Sequence, residues 1–277
     1  SKMHGLGNDF ILINALDQRL DDFNLSEVSQ QLCDRRMGVG ADGVIYVLKS
    51  DQSDLQMRVY NSDGSEPEMC GNGIRCFAKY AYDEKIVDRE VFSVETAAGI
   101  MVPALIVNEG RVNAVEVDMG EPSLEKSALS MTAGEKTQFI NEPLIVDGLS
   151  FDVTCVSMGN PHAVVFVDDL KTIDLERLGP LFEKHEAFPK KTNVEFVQVI
   201  SDSEAVVIVW ERGAGETMAC GTGACASVVA GVLNQKLSRK VNVHLPGGTL
   251  RIEWQASDKH VMMMGPATNV FKGEITL

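Results

Sequence analysis

Two cysteines stand in the same local setting 150 residues apart: Glu66-x-x-x-Cys70-Gly71-Asn72-Gly73 and Glu216-x-x-x-Cys220-Gly221-Thr222-Gly223. Each leads into an apolar segment. A thiolate is a base and a thiol an acid, so two of them facing one site can take a proton from one face of a carbon and return one to the other. The glycines beside each sulfur let a ligand approach the backbone closely. A helix starting there presents N–H groups and the positive end of its dipole, which hold a carboxylate and lower a thiol below its ordinary pKa of about 8.5.

The surrounding pattern supplies such helices. Before each cysteine lies a strand-like run, Leu55 to Tyr60 and Ala205 to Trp210, followed by a Gly- and Asp-containing turn. After each cysteine, Ile74 to Tyr82 and Ala224 to Leu233 run without alternation. The second is apolar on nearly every side, which predicts a helix buried all round. Elsewhere short β-branched strands are broken by Gly, Asn and Asp, too many and too evenly spread for a βαβ order. The prediction is an α+β fold of two pseudo-symmetric lobes, each a curved mixed β-sheet wrapped around a central helix with the cysteine at its N-terminus.

The repeat extends well beyond the cysteines. Tyr60-Asn61 falls on Trp210-Glu211, and Gly43-Val44-Ile45-Tyr46 on Asn193-Val194-Glu195-Phe196. Leu6-Gly7-Asn8-Asp9-Phe10 answers Met158-Gly159-Asn160-Pro161-His162, Gly99 answers Gly248, and Met119-Gly120 answers Met264-Gly265. Blocks in one order with a slowly drifting offset indicate duplication into two domain-sized copies. We expect an N-terminal lobe at 1–120, completed by a C-terminal strand at 268–277, and a second lobe at 121–267, with the active site in the cleft between them. The join falls around Glu121 to Asn141, a stretch with Pro122 and Gly134 and few large apolar residues.

Composition narrows the function. With 277 residues, 44% apolar and 23% charged, the chain is globular material with length for two cores. A net charge of −15 argues against nucleic acid or an anionic membrane as partner. No run approaches the roughly 18 apolar residues of a membrane span, and no signal-peptide core is seen, so a cytoplasmic protein is expected. The six cysteines (Cys33, Cys70, Cys76, Cys155, Cys220, Cys225) are expected as free thiols, and their spacings of six and five do not suit a zinc knuckle. No metal is expected.

Weaker signals have plainer roles. Gly38-x-Gly40-x-x-Gly43 follows a helix-like segment and precedes a strand, the reverse of the dinucleotide order, and Gly221-x-Gly223-x-x-Ala226 lacks the acidic residue about 20 positions on. No nucleotide cofactor is expected. His162 taken alone suits a core or turn histidine, Glu211 an ion pair with its surroundings, and Asn8, Asn61, Asn160 and Asn193 ordinary turns. All of them fall inside the repeated blocks where strands end, and such loops are where sites are built.

At these residues the chain resembles the diaminopimelate epimerase family. The likeness covers nearly the whole sequence: Lys2 to Phe10, Asn61-Ser62-Asp63-Gly64-Ser65-Glu66, Cys70 to Cys76, Met158 to His162, Glu211 to Thr217, Cys220 to Gly223 and Leu245-Pro246-Gly247-Gly248. The resemblance implies a cofactor-independent enzyme interconverting LL- and meso-diaminopimelate for lysine and peptidoglycan precursors, with Cys70 and Cys220 as the acid–base pair. It implies that His162 and Glu211 tune their pKa values, and that Asn8, Asn61, Asn160, Asn193, Glu211 and Arg212 hold the substrate. Gly71, Asn72, Gly221 and Thr222 would bind the reacting carboxylate through their N–H groups. It further implies a homodimer with Phe271 as an interface aromatic, for which core packing is the plainer role. One departure stands out: many members have Gln after Phe-Asp where this chain has Gly43 after Ala41-Asp42, leaving a water or backbone group to replace that contact.

Two rivals remain at this stage. A proline racemase or hydroxyproline epimerase shares the paired cysteines, although its first is usually followed by Gly-His rather than Gly71-Asn72. A thiol redox or ligand-binding module would use Cys70 and Cys220 as a switchable disulfide.

Overall fold

The computed structural model describes residues 1–17, 23–132 and 137–275; Gly134 of the expected join and the last two residues of the expected 268–277 strand lie outside the described residues. The chain divides into two compact units, 1–118 with 264–277, and 119–263.

The first unit runs β1 (Lys2–Gly5), β2 (Asn8–Asn14), α1 (Leu25–Cys33), β3 (Gly43–Leu48), β4 (Leu55–Asn61), α2 (Gly71–Asp83), β5 (Val94–Thr96) and β6 (Gly99–Met101), then a hairpin of β7 (Ala104–Asn108) and β8 (Arg111–Asp118). The sheet order is β1-β2-β3-β4-β5-β6. Strands β2 and β3 are parallel, as are β4 and β5, because a helix-bearing crossover joins each pair; the others are antiparallel. Helix α2 packs on β1, β2, β3, β4 and β8. It buries Ile74, Cys76, Phe77, Ala78 and Ala81 completely.

The second unit repeats this plan. It runs β9 (Glu142–Val146), β10 (Leu149–Ser157), β11 (Pro161–Phe166), α3 (Leu175–Glu183), β12 (Asn193–Ser201), β13 (Glu204–Glu211), β14 (Gly215–Glu216), α4 (Gly221–Leu233), β15 (Lys240–Leu245), β16 (Gly248–Trp254) and β17 (Val261–Gly265). The order β10-β11-β12-β13-β15-β16 reproduces β1 to β6, again with parallel pairs flanking the two helical crossovers. Helix α4 lies against six strands, and Ala224, Cys225, Ala226, Val228, Val229 and Ala230 are all inaccessible, as the unbroken apolar sequence predicts. Finally β18 (Thr268–Phe271) returns to the first unit and pairs antiparallel with β1, Lys2 opposite Phe271.

Among the described residues each unit carries one α-helix besides the central one. Helices α1 and α3 start at Leu25 and Leu175 and end at Cys33 and Glu183, an offset of 150 at both ends, the same as α2 and α4. Both are amphipathic, burying Leu25, Leu32 and Cys33, and Leu175, Leu178 and Phe182. Asn24 and Asp174 cap them, accepting from Glu27 N and Arg177 N. Among the described residues no helix is long and apolar enough to cross a membrane.

Candidate active site

The cysteines sit where the chain switches from loop to helix. Cys70 and Cys220 are the N-cap residues of α2 and α4, with extended backbone, and each Sγ accepts from the N–H three residues on, Gly73 at 3.4 Å and Gly223 at 3.3 Å. A sulfur thus takes the place of the oxygen acceptor usual at that position. First-turn amides have no carbonyl four residues back in their own helix, so both helices open with backbone donors beside the sulfur.

An asparagine reaches each site from an equivalent turn. Gly7 and Gly159 both have φ of 91°, a conformation open to glycine, and the residues after them are Asn8 and Asn160. Around Cys70, the Asn8 Oδ1 accepts from Asn72 Nδ2 at 3.1 Å and lies 3.8 Å from the sulfur, positioned to accept from the thiol. Its Nδ2 donates to Asp42 at 2.8 Å, and Asp42 is in turn held by Arg35. Beneath them the buried Arg75 donates to Asn72 Oδ1 at 2.9 Å and to the Gly71 carbonyl at 3.1 Å. Asn61 ends β4 opposite Gly43 and donates to Ser65 Oγ at 3.0 Å.

Around Cys220 the same scaffold holds different chemistry. Asn160 donates through Nδ2 to Thr222 Oγ1 at 3.2 Å, and Thr222 Oγ1 lies 3.5 Å from the Cys220 sulfur. The Asn160 Oδ1 faces His162 Nε2 at 3.0 Å, and His162 Nδ1 faces Glu195 at 2.6 Å. His162 and Glu195 are fully buried. Asn193 is a clamp: Nδ2 donates to the Pro161 carbonyl and Oδ1 accepts from Arg212 N, both at 2.8 Å. Arg212 is exposed, with Nη1 toward the Lys190 carbonyl at 3.3 Å. Glu211 accepts from Thr217 Oγ1 at 2.6 Å.

Electrostatics separates these groups. Burial raises the Glu211 carboxyl above its ordinary range, against the opposing pull of the Thr217 hydroxyl and His162. Burial also pushes the Cys220 thiol well up, reinforced by the charges of Glu211 and Glu195 and opposed by Thr222 and Gly223 N–H. At Cys220, then, desolvation and two neighbouring acidic side chains oppose the lowering expected of a helix N-terminus. Cys33 and Cys76 are pushed up to about 11 and about 12 by burial, which makes both inert packing thiols at neutral pH.

Gly43 has little room for a side chain: an ideal Cβ there would lie 2.7 Å from the Tyr60 carbonyl oxygen. Phe271 is half exposed on β18, which argues against the core role. Three polar partners, the buried Glu195 and Arg75 and the partly exposed Asp42, escaped the sequence reading of the site. The signal for Glu195 was present, since it aligns with Ile45 in the repeat.

Each unit places a thiol at a helix N-terminus among amide groups, a pairing of acid–base sulfur and anion-holding backbone that suits proton transfer at a carbon beside a carboxylate. Comparison with known proteins agrees. The family model described as diaminopimelate epimerase matches residues 1–125 and 154–270. A diaminopimelate epimerase of Moorella thermoacetica is 53% identical over 276 residues, covering 100% of this chain and 98% of that protein. Among solved structures, a Bacillus anthracis phenazine biosynthesis protein of the PhzF family superposes with a TM-score of 0.71 at 17% identity, over 100% of this chain and 98% of the other. A probable proline racemase from Agrobacterium radiobacter does so with 0.70 at 14% identity, over 100% and 92%. These two likenesses show the fold.

Proposed function

From the premise that this chain belongs to the diaminopimelate epimerase family, we propose that Cys70 and Cys220 are the acid–base pair with which it epimerises diaminopimelate. The observation that carries the reading is the equivalence of the two sulfurs: each caps an equivalent helix and is reached by an asparagine from an equivalent turn, Asn8 directly and Asn160 through Thr222.

One cysteine, as thiolate, takes the α-hydrogen while the other, as thiol, protonates the opposite face, and the roles exchange with direction. The scheme requires both sulfurs to address one carbon. A hydrogen beside a carboxylate is so weakly acidic that base catalysis, worth roughly 100- to 10,000-fold, is insufficient alone. The Gly71, Asn72, Gly221 and Thr222 amides would hold the α-carboxylate and stabilise its enediolate-like charge as it develops. Two coupled thiols share macroscopic pKa values, so the resting enzyme is described as one thiol and one thiolate. His162 and Glu211 set that balance at the Cys220 end.

The distal amino acid centre must be recognised without reacting. Arg212 offers a planar fork for its carboxylate, while Glu211, Asn61 and Asn193 offer acceptors for its ammonium or brace the loop that does. The exposed Arg212 guanidinium and the Asn193 clamp on its backbone support this division of labour. We also infer a homodimer seated through Phe271 and a cytoplasmic enzyme, the latter supported by six free cysteines.

The test is to replace Cys70 or Cys220 by Ser and follow α-hydrogen exchange from LL-diaminopimelate in deuterated water. Both variants should lose epimerisation by at least about 100-fold; full turnover by either one would sink the two-base scheme. Activity that survives oxidation and needs no reductant would point instead to a disulfide switch.

A further inference from the structure

The two asparagines beside the sulfurs are turned opposite ways. Asn8 gives its N–H to Asp42 at 2.8 Å and so presents its oxygen, an acceptor, to Cys70. Asn160 meets His162 Nε2 through its oxygen at 3.0 Å and so presents its N–H to Thr222. Because Asn160 Oδ1 can only accept, His162 Nε2 must carry a proton. Because Thr222 Oγ1 accepts from Asn160, its own hydrogen remains for the Cys220 sulfur 3.5 Å away. The donors thus point one way, from His162 through Asn160 and Thr222 to the sulfur.

What sets that direction lies one step further back. Glu195 places Oε1 2.6 Å from His162 Nδ1, with both side chains fully buried, and its Oε2 has no hydrogen-bond partner. Glu195 thus engages Nδ1 while Asn160 engages Nε2, so both ring nitrogens are held. In the first half the equivalent positions hold Ile45 and Phe10: an ideal Cβ on Gly73 meets Ile45 at 3.2 Å, where one on Gly223 meets the Glu195 oxygen at 2.7 Å. The duplication therefore put an apolar wall behind Cys70 and a buried His–Glu pair behind Cys220.

We propose that Glu195 is a positioning residue which, through doubly protonated His162, Asn160 and Thr222, directs a hydrogen-bond donor at the Cys220 sulfur and so favours its thiolate. This rests on the two-cysteine reading above. The groups facing this cluster from the packed elements are His162 on β11, Glu195 on β12, Glu211 on β13 and Cys155 on β10, a thiol that burial keeps protonated. The buried residues of β15 and β16 are apolar: Val241, Val243, Leu245, Leu250 and Ile252.

The experiment titrates thiolate ultraviolet absorbance in full-length C70S and in C70S/E195Q, each after subtraction of the matching C220S protein. The relay requires the Cys220 midpoint to rise on Glu195→Gln, with about tenfold less thiolate at a given pH. If Glu195 acts only as a nearby negative charge, neutralising it lowers the midpoint; that result, or no movement, overturns the proposal. Thr222→Val should raise the midpoint as well, and Glu195→Gln added to it should change nothing further; an additive shift counts against the relay. Should the Gln variant fail to fold, nitrogen-15 resonances of His162 in the intact enzyme decide the matter: both ring nitrogens protonated at neutral pH supports it, one bare nitrogen refutes it. A C220S enzyme that still epimerised would remove the two-cysteine reading and leave this titration standing, so the two failures are distinct.

Discussion

Glu211 holds its carboxylate where burial disfavours the charge, and that has a consequence for stability. A carboxyl whose folded pKa is raised binds its proton more tightly folded than unfolded, so its contribution is fully present at pH below its unfolded value and is lost as pH rises through the folded one. Glu211→Gln should therefore be more stable than the parent at neutral pH, with the gap closing in acid, while epimerisation falls; thermal melting at acidic and neutral pH checks the sign. Gly43 makes a second residue-scale prediction. Gly43→Gln should destabilise by about 1–3 kcal/mol through overpacking against the Tyr60 carbonyl and give no gain in substrate affinity. At this scale the sequence was most legible where residue type and glycines coincide, as in Cys70-Gly71 and Cys220-Gly221. Glu195 stood out only as a lone acid opposite Ile45 in the repeat, and its partner on the neighbouring strand, His162, is what gives it meaning.

The helices that carry no cysteine shape the second site indirectly. Helix α3 approaches β13 so closely that an ideal Cβ on Gly179 would lie 2.4 Å from the Trp210 ring, and Glu183 at its end accepts from Trp210 Nε1 at 2.9 Å and Gly213 N at 3.2 Å. The helix is thus fastened to the turn that bears Arg212. Gly179→Ala should cost about 1–3 kcal/mol and shift Trp210 fluorescence, with KM rising more than kcat falls as the Arg212 turn is displaced. Unchanged denaturation and kinetics would contradict that linkage. Central helices α2 and α4 were readable from their lack of alternation, whereas α1 and α3 are short, half-polar and defined by what they touch. Leu175–Glu183 carries a glycine and Pro180, both poor helix formers, and is helical because its apolar face packs against Phe196 and Trp210.

At the scale of the whole chain, duplication was legible because five blocks kept their order, and the strand pairing of the two units follows it in detail. What sequence periodicity does not contain is how one scaffold was divided between two tasks: the same two core positions became Phe10 and Ile45 in one unit and His162 and Glu195 in the other. The edge strand β18, all four residues exposed and including Phe271, is the surface from which a dimer is inferred. Phe271→Glu should leave a folded chain of roughly half the native mass by light scattering, since a charge on an apolar interface core is strongly disfavoured. A dimer of unchanged mass would remove Phe271 from the interface.

The pairing of β18 with β1 also bears on how the molecule is made. The first unit needs a strand that leaves the ribosome only after every residue of the second unit has been translated. The early part of the chain must therefore wait in the cell with one edge of its sheet unpaired, while the later-made unit already has all its strands in hand. The first unit's sheet is therefore completed only after the second unit has been made, and the β1 edge exposed during that interval is where a chaperone would be most useful.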